Sequence, residues 1–147
     1  MNEIINSFDG KYDFLSNFYD CDITYNGLSY KNSEAAFQAQ KTLDLNLKSM
    51  FTTMTPYEAK KCGRRLNIRK DWEEIKDKVM YEICLAKFTQ NSNLKKKLLD
   101  TGNAELIEGN YWHDNCWGDC NCTKCKNISG QNRLGKILMK IRDELKC

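Results

Sequence analysis

Asn32-Ser-Glu34-Ala-Ala-Phe-Gln38-Ala-Gln-Lys41-Thr42 is the stretch that decides how this chain folds. Asn32 or Ser33 can offer a side-chain oxygen to the open amides of a first helical turn. Ala35, Ala36, Phe37 and Ala39 follow, and the pattern predicts a helix running to about Thr42. A helix so poor in charge has to be covered by other elements. Glu34, Gln38 and Lys41 stand at i, i+4 and i+7, which places them on one helical face, with Leu43 on the neighbouring apolar side. Burying charge is costly unless it is paired. The stripe therefore lines a cavity or forms a buried polar network; the alternative is a solvated face with Gln38 and Lys41 in water.

Working outward, Cys21–Tyr25 and Leu28–Tyr30 flank Asn26-Gly27, the signature of a hairpin with a tight primed turn. Such a hairpin is marginal alone and must lie on something larger. The rest of the chain is helical in pattern. Leu45, Lys48, Ser49 and Phe51 suggest a short helix. Thr55-Pro56-Tyr57-Glu58 is a start signal with a capping box, and Gly63 its stop. Asp71 reads as the cap of a helix in which Trp72, Ile75, Val79, Ile83 and Ala86 recur at helical spacing. Leu94, Leu98 and Leu99 mark a further helix ended by Gly102. The last runs from about Asn132 to Lys146, with Leu134, Ile137, Leu138, Ile141 and Leu145 on one stripe. The expected fold is mainly α (α+β): a single domain over residues 1–147 with a small N-terminal β-hairpin.

Composition narrows the function. The chain has 147 residues with 41% apolar and 11% aromatic content, enough for a real core. Its net charge of +3 permits an anionic partner without demanding one, since nucleic-acid binders usually carry a strongly basic face. Lys95-Lys96-Lys97 reads as a solvated helix face. No apolar run approaches the roughly 18 residues of a membrane span, so no membrane partner is expected. MNEIINSFDG lacks a signal-peptide apolar core, which points to the cytoplasm. Neither a P-loop nor a dinucleotide-binding glycine motif is present.

The stretch from Gly109 to Gly130 has neither helical nor strand period, and long loops of this kind are usually functional or disordered. Its aromatics favour an ordered, functional loop. Glu108-Gly-Asn110-Tyr-Trp112-His113-Asp114-Asn-Cys-Trp117-Gly118 gathers carboxylates, an amide, the only histidine and two tryptophans. Tryptophan beside carboxylates suits a planar ligand; the alternative is a loop pinned by buried Trp. Four of the eight cysteines, Cys116, Cys120, Cys122 and Cys125, crowd beside His113. Thiolates and imidazole are zinc ligands, but Cys-x-Cys is awkward for one tetrahedral ion, and the alternative is a loop of reduced thiols. A nucleophilic pair of His113 with Cys116 is a further option. Cys21, Cys62, Cys84 and Cys147 read as small buried residues or a free tail.

Several motifs, in order along nearly the whole chain, resemble the NADAR (YbiA-like) family. They are Phe8-Asp-Gly-x-Tyr12-x-Phe14-Leu15-Ser16-Asn17-Phe18-Tyr19, Ser33–Lys41, Gly63-Arg64, Asp71-Trp72 with Val79-Met80, Lys87-Phe88 before Leu98-Leu99-x-Thr101, Glu108–Gly118, and Gly130–Arg142. The cysteine-rich insert between Gly118 and Gly130 departs from the family pattern, in which many relatives have a shorter, glycine-containing link. The resemblance implies a mostly helical fold and an N-glycosidase acting on ribosylated nitrogen. The substrates it implies are phosphoribosylated intermediates of riboflavin synthesis, or ADP-ribose on a modified guanine carried as nucleoside, DNA or RNA. It implies catalytic roles for Glu34, Lys41 and Asp114. Phe14, Ser16, Asn17, Gln38, Arg64, Trp72, Glu108, Asn110, Trp117, Gly118 and Asn132 are the expected substrate contacts, with Arg64 pairing with phosphate or forming an interior salt bridge. Glu34 and Asp114 would divide the roles of charge stabiliser or base and acid. Lys41 would act as a phosphate- or sugar-binding ammonium or as a Schiff-base nucleophile. No cofactor is required. Two other classes compete: a non-catalytic ADP-ribose or nucleotide-binding module, and a zinc-knuckle-like nucleic-acid binder.

Overall fold

Asn26 and Gly27 both have positive φ, 49° and 84°, as a primed turn demands. The turn closes an antiparallel pair in which Tyr25 faces Leu28 and Thr24 faces Ser29. The computed structural model describes residues 3–146; Cys147, read above as a buried residue or free tail, lies outside them. In chain order the elements are β1 (Ile4–Ile5), β2 (Asp20–Tyr25), β3 (Leu28–Asn32), α1 (Ser33–Ala39), α2 (Leu45–Met50), α3 (Pro56–Gly63), α4 (Trp72–Gln90), α5 (Ser92–Asp100), β4 (Glu105–Leu106), β5 (Gly109–Asn110), β6 (Asp119–Cys120) and α6 (Arg133–Leu145). Short 3-10 turns cover Gly10–Leu15, Phe51–Thr53 and Thr123–Cys125. The fold is α+β and mainly helical. Among the described residues no helix is long and apolar enough to cross a membrane. Residues 17–94 form one compact unit, and residues 3–16 with 95–146 form another.

In the 17–94 unit, α1 packs on α3, α4 and β3 and buries Ser33, Ala35, Ala36, Phe37, Gln38 and Ala39. Asn32 ends β3 and starts α1. Its Oδ1 accepts the Ala35 N–H at 2.7 Å, and its Nδ2 donates to the Met54 carbonyl at 3.1 Å. The helix stops at Ala39, short of the expected Thr42. The amides of Gln40 and Lys41 bond to the carbonyls of Phe37 and Gln38, an i to i−3 pattern that tightens the final turn. The Lys41 carbonyl then accepts the Arg69 amide at 2.9 Å. Lys41 therefore stands in the turn after α1 and not on its face, and Leu43, expected on the buried side, is 68% exposed.

The capping box of α3 is complete: Thr55 Oγ1 accepts from the Glu58 amide and Glu58 Oε1 from the Thr55 amide. Asp71 is not a side-chain cap for α4; its carboxylate takes the Arg69 guanidinium at 2.6 and 3.0 Å. α4 buries Val79, Met80, Ile83, Cys84 and Phe88, each large apolar side chain contributing about 1.5–3 kcal/mol. The hairpin lies on this helix: Tyr25 donates to Glu82 at 2.6 Å, and the Thr24 amide donates to Gln90 at 2.8 Å.

In the other unit, β1 pairs in parallel with β4, Ile5 opposite Leu106. α6 packs on β4 through a buried stripe of Leu134, Leu138 and Ile141. Gly102, at φ +63°, follows α5 where the stop signal stood. Asn132 precedes α6 in left-handed conformation and makes no side-chain cap. The aperiodic stretch from Gly109 contains a short parallel pair, with Asn110 opposite Cys120.

Replacing Asn32 by Ala removes the α1 cap and leaves the Met54 carbonyl without its donor. We expect a loss of about 2–3 kcal/mol, seen as a lower urea midpoint at unchanged slope. A loss below about 0.5 kcal/mol would contradict the assigned role of Asn32.

Candidate active site

Three of the candidate residues come together around α1. Glu34 lies in its first turn, half-buried, with its amide bonded to the Asn17 carbonyl at 3.1 Å. Gln38, one turn on and 6% exposed, donates from Nε2 to Glu34 Oε2 at 3.0 Å. Its Oε1 is a buried acceptor with no hydrogen-bond partner among the described residues. This oxygen lies over Gly63, where a Cβ would collide with it. Gly63 is thus needed for close approach of α3 to α1, not as a left-handed helix stop. Lys41 is half-buried in the turn that follows. Burial holds its pKa below the usual lysine value. The Glu34 carboxylate opposes that shift, and the cations of Arg64 and Lys76 reinforce it. A carboxylate, a primary amide and a lysine whose pKa burial lowers therefore share one patch, with Arg64 exposed nearby.

The other candidates in this unit have interior positions. Trp72 is 5% exposed and packs against Phe37 at 5.0 Å between ring centroids. Asn17 is buried, its amide donating to Met80 Sδ at 3.4 Å. Lys87, which the sequence did not single out as a site residue, is 1% exposed, with its ammonium 5.7 Å from the Tyr19 ring centroid.

The candidates of the other unit largely organise their own loop. Asn110, 1% exposed, accepts the amides of Trp112 and Asp114 on Oδ1 and donates from Nδ2 to the Asp114 carbonyl at 2.8 Å. Asp114 Oδ1 accepts the amides of Cys116 and Trp117 at 3.1 and 2.9 Å, closing a turn. Asn132 donates to the Leu106 carbonyl at 2.9 Å and accepts the Glu108 amide at 3.0 Å. Gly118 is buried where the chain passes the Glu108 carbonyl, and Trp117 and Glu108 are half-buried. Phe14 is buried and lines a small open cleft with Tyr12, Lys97 and Thr101. Ser16 is half-buried, with its amide on the Asp13 carbonyl.

Carboxylate, amide and amine are groups that can take part in acid–base or nucleophilic chemistry. The NADAR domain matches residues 5–146, and the chain belongs to that family. It is 37% identical over 147 residues to the N-glycosidase YbiA of Shigella boydii serotype 4 (strain Sb227), covering 97% of this chain and 88% of that protein. It is 38% identical over 140 residues to the riboflavin biosynthesis protein VVA0006 of Vibrio vulnificus (strain YJ016). That match covers 93% of this chain but only 36% of the Vibrio protein. The NMR structure of the E. coli protein YbiA superposes with a TM-score of 0.83 at 35% identity, covering 99% of this chain and 86% of that one.

Competitive acetylation read by mass spectrometry across pH should place the Lys41 midpoint below the usual lysine value. In Glu34→Gln the midpoint should fall further, because a neutral amide no longer stabilises the ammonium. A midpoint that rises or stays fixed would contradict this electrostatic reading.

Proposed function

We propose that the protein is an N-glycosidase that hydrolyses the C1′–N bond of a phosphate-bearing ribosyl group. Two substrates fit: an ADP-ribosylated guanine, free or on DNA or RNA, and a phosphoribosylated intermediate of riboflavin synthesis. The observation that carries the reading is the Glu34–Gln38 hydrogen bond beside a lysine whose amine form burial favours. The names of the relatives support the enzyme class, a hydrolase acting on N-glycosyl bonds, and the Vibrio relative's name supports the riboflavin arm. A cytoplasmic working place goes with this reading, since thiols stay reduced there.

Breaking the C1′–N bond builds positive charge on the ribose and leaves an electron pair on the departing nitrogen, which must take a proton. In this scheme the neutral Lys41 amine displaces the base nitrogen from C1′, and one of its two protons passes to that departing nitrogen. The C1′–O4′ bond then opens, O4′ takes the second proton, and an imine is left between Lys41 and the opened sugar. Water then hydrolyses the imine, restoring the amine and releasing the ribosyl aldehyde. Glu34, oriented by Gln38 Nε2 and by its own amide on Asn17, stabilises the developing charge and handles the proton of the attacking water. Arg64, exposed beside the patch, supplies positive charge suited to phosphate, whereas Lys76 on α4 is paired with Glu73 at 2.8 Å. Asp114 is assigned to holding the turn that carries Trp117.

Mass spectrometry of two incubations tests this: one with ADP-ribosylated guanosine or DNA, the other with a phosphoribosylated pyrimidine of riboflavin synthesis. Wild type should release ADP-ribose or ribose phosphate from one of them. Glu34→Ala, folded by circular dichroism, should lose about 10²–10⁴-fold in kcat/KM. Near-normal turnover by Glu34→Ala would remove Glu34 from the chemistry. Tight binding of both compounds without any product would instead favour a binding module.

A further inference from the structure

The fold regroups the thiols and the histidine of the cysteine-rich insert. The potential ligand atoms of His113, Cys120, Cys122 and Cys125 all lie within 4.8 Å of one another, and Cys116 is not among them. His113 Nδ1 is 3.2 Å from Cys122 Sγ, 3.4 Å from Cys125 Sγ and 3.9 Å from Cys120 Sγ. An imidazole nitrogen carries one hydrogen or one lone pair, so it can serve one of these sulfurs but not three. Hydrogen bonding to a single ring nitrogen does not account for three converging sulfurs, whereas a shared central ion would. With metal–sulfur and metal–nitrogen bonds of about 2.3 and 2.05 Å at the tetrahedral angle, N and S ligands stand about 3.6 Å apart. The observed distances bracket that value.

We propose that His113, Cys120, Cys122 and Cys125 form a structural zinc site of the Cys3His type. Three soft thiolates and one imidazole are a donor set for Zn²⁺, and four protein ligands complete its tetrahedral shell, leaving no open position for substrate. The surroundings fit thiolate ligands. The amides of His113 and Cys122 both point at Cys120 Sγ, at 3.3 and 3.5 Å, the outer-shell support that metal-bound sulfur takes. Cys125 is brought back by the 3-10 turn at Thr123–Cys125, its amide on the Cys122 carbonyl at 3.1 Å. His113 has φ +70°, a backbone conformation that non-glycine residues adopt at a cost. A metal–nitrogen bond offsets that cost.

The site also answers a packing deficit. Between Tyr111 and Gly130 only Gly118, Cys120 and Cys125 are buried, while Tyr111, Trp112 and Ile128 are 72%, 59% and 52% exposed. A stretch with so little apolar core needs another source of cohesion, and a bound metal is one that couples directly to folding. The ligands bracket the Asp114–Trp117 turn, so the ion would hold that turn in place.

The test is metal content of untagged, reduced full-length protein from zinc-supplemented cells, after dialysis, by plasma mass spectrometry. Wild type and Cys116→Ser should retain about one zinc per chain, and Cys120→Ser and Cys125→Ser should not. Cobalt loaded into wild type should give the intense visible bands of a tetrahedral, thiolate-rich site, a readout that holds even where the serine variants fail to fold. Chelation should open residues 111–130 to limited proteolysis. Wild type that retains no zinc and shows no tetrahedral cobalt spectrum would overturn the proposal, as would a Cys116→Ser protein that loses the metal as fully as Cys120→Ser.

Discussion

Burial of α1 is the constraint from which the rest of the 17–94 unit follows. Almost every side chain of this short helix is enclosed, so its faces must be covered by α3, α4 and the hairpin strand that feeds it. Small residues allow that approach: Ala35, Ala36 and Ala39 are wholly buried on α1, and Gly63 on α3 leaves room for Gln38. Glu34 and Gln38 are polar groups carried into this crowded place. Their mutual hydrogen bond lessens the cost of burial without removing it, since Gln38 keeps an acceptor unmatched among the described residues. Polar groups retained at such a cost are where chemistry is to be sought.

Much of this architecture is legible in the sequence because local physics decides it. Asn26-Gly27 has to turn, Thr55 with Glu58 has to cap, and the apolar stripe of α6 has to face a core. The departures arise where tertiary bonds override local ones. Lys41 leaves the helix where its amide bonds the Gln38 carbonyl in a tightened turn and its own carbonyl accepts the Arg69 amide. Asp71 gives up its cap to the Arg69 guanidinium. α3 does end at Gly63, as its position in the chain indicates, but glycine is needed there for the space it leaves a side chain on another helix, which no local pattern encodes. The NADAR motifs marked Glu34 and Lys41 together; that the lysine is depressed by burial emerges only once its neighbours are in place.

The Gly109–Gly130 stretch shows the same division. Its residue types point to a ligand pocket, and several of those side chains also hold the loop together. Asn110 and Asp114 satisfy amides of their own turn, and Asn132 ties the start of α6 to the Leu106 carbonyl and the Glu108 amide. A polar residue in an aperiodic segment has backbone groups to satisfy before it has a substrate to meet. The cysteine spacing, awkward for one ion when Cys116 is counted, becomes coherent when His113 takes its place, a substitution that chain proximity alone could not decide.

Whether Lys41 reacts as an amine within the α1 patch separates the proposed imine route from a purely electrostatic role for this lysine. Sodium borohydride added during turnover, followed by peptide mapping, reads this directly. A reduced ribosyl adduct is expected on the peptide containing Lys41, and none in Lys41→Arg. Turnover that continues in wild type with no adduct on Lys41 under trapping would contradict it.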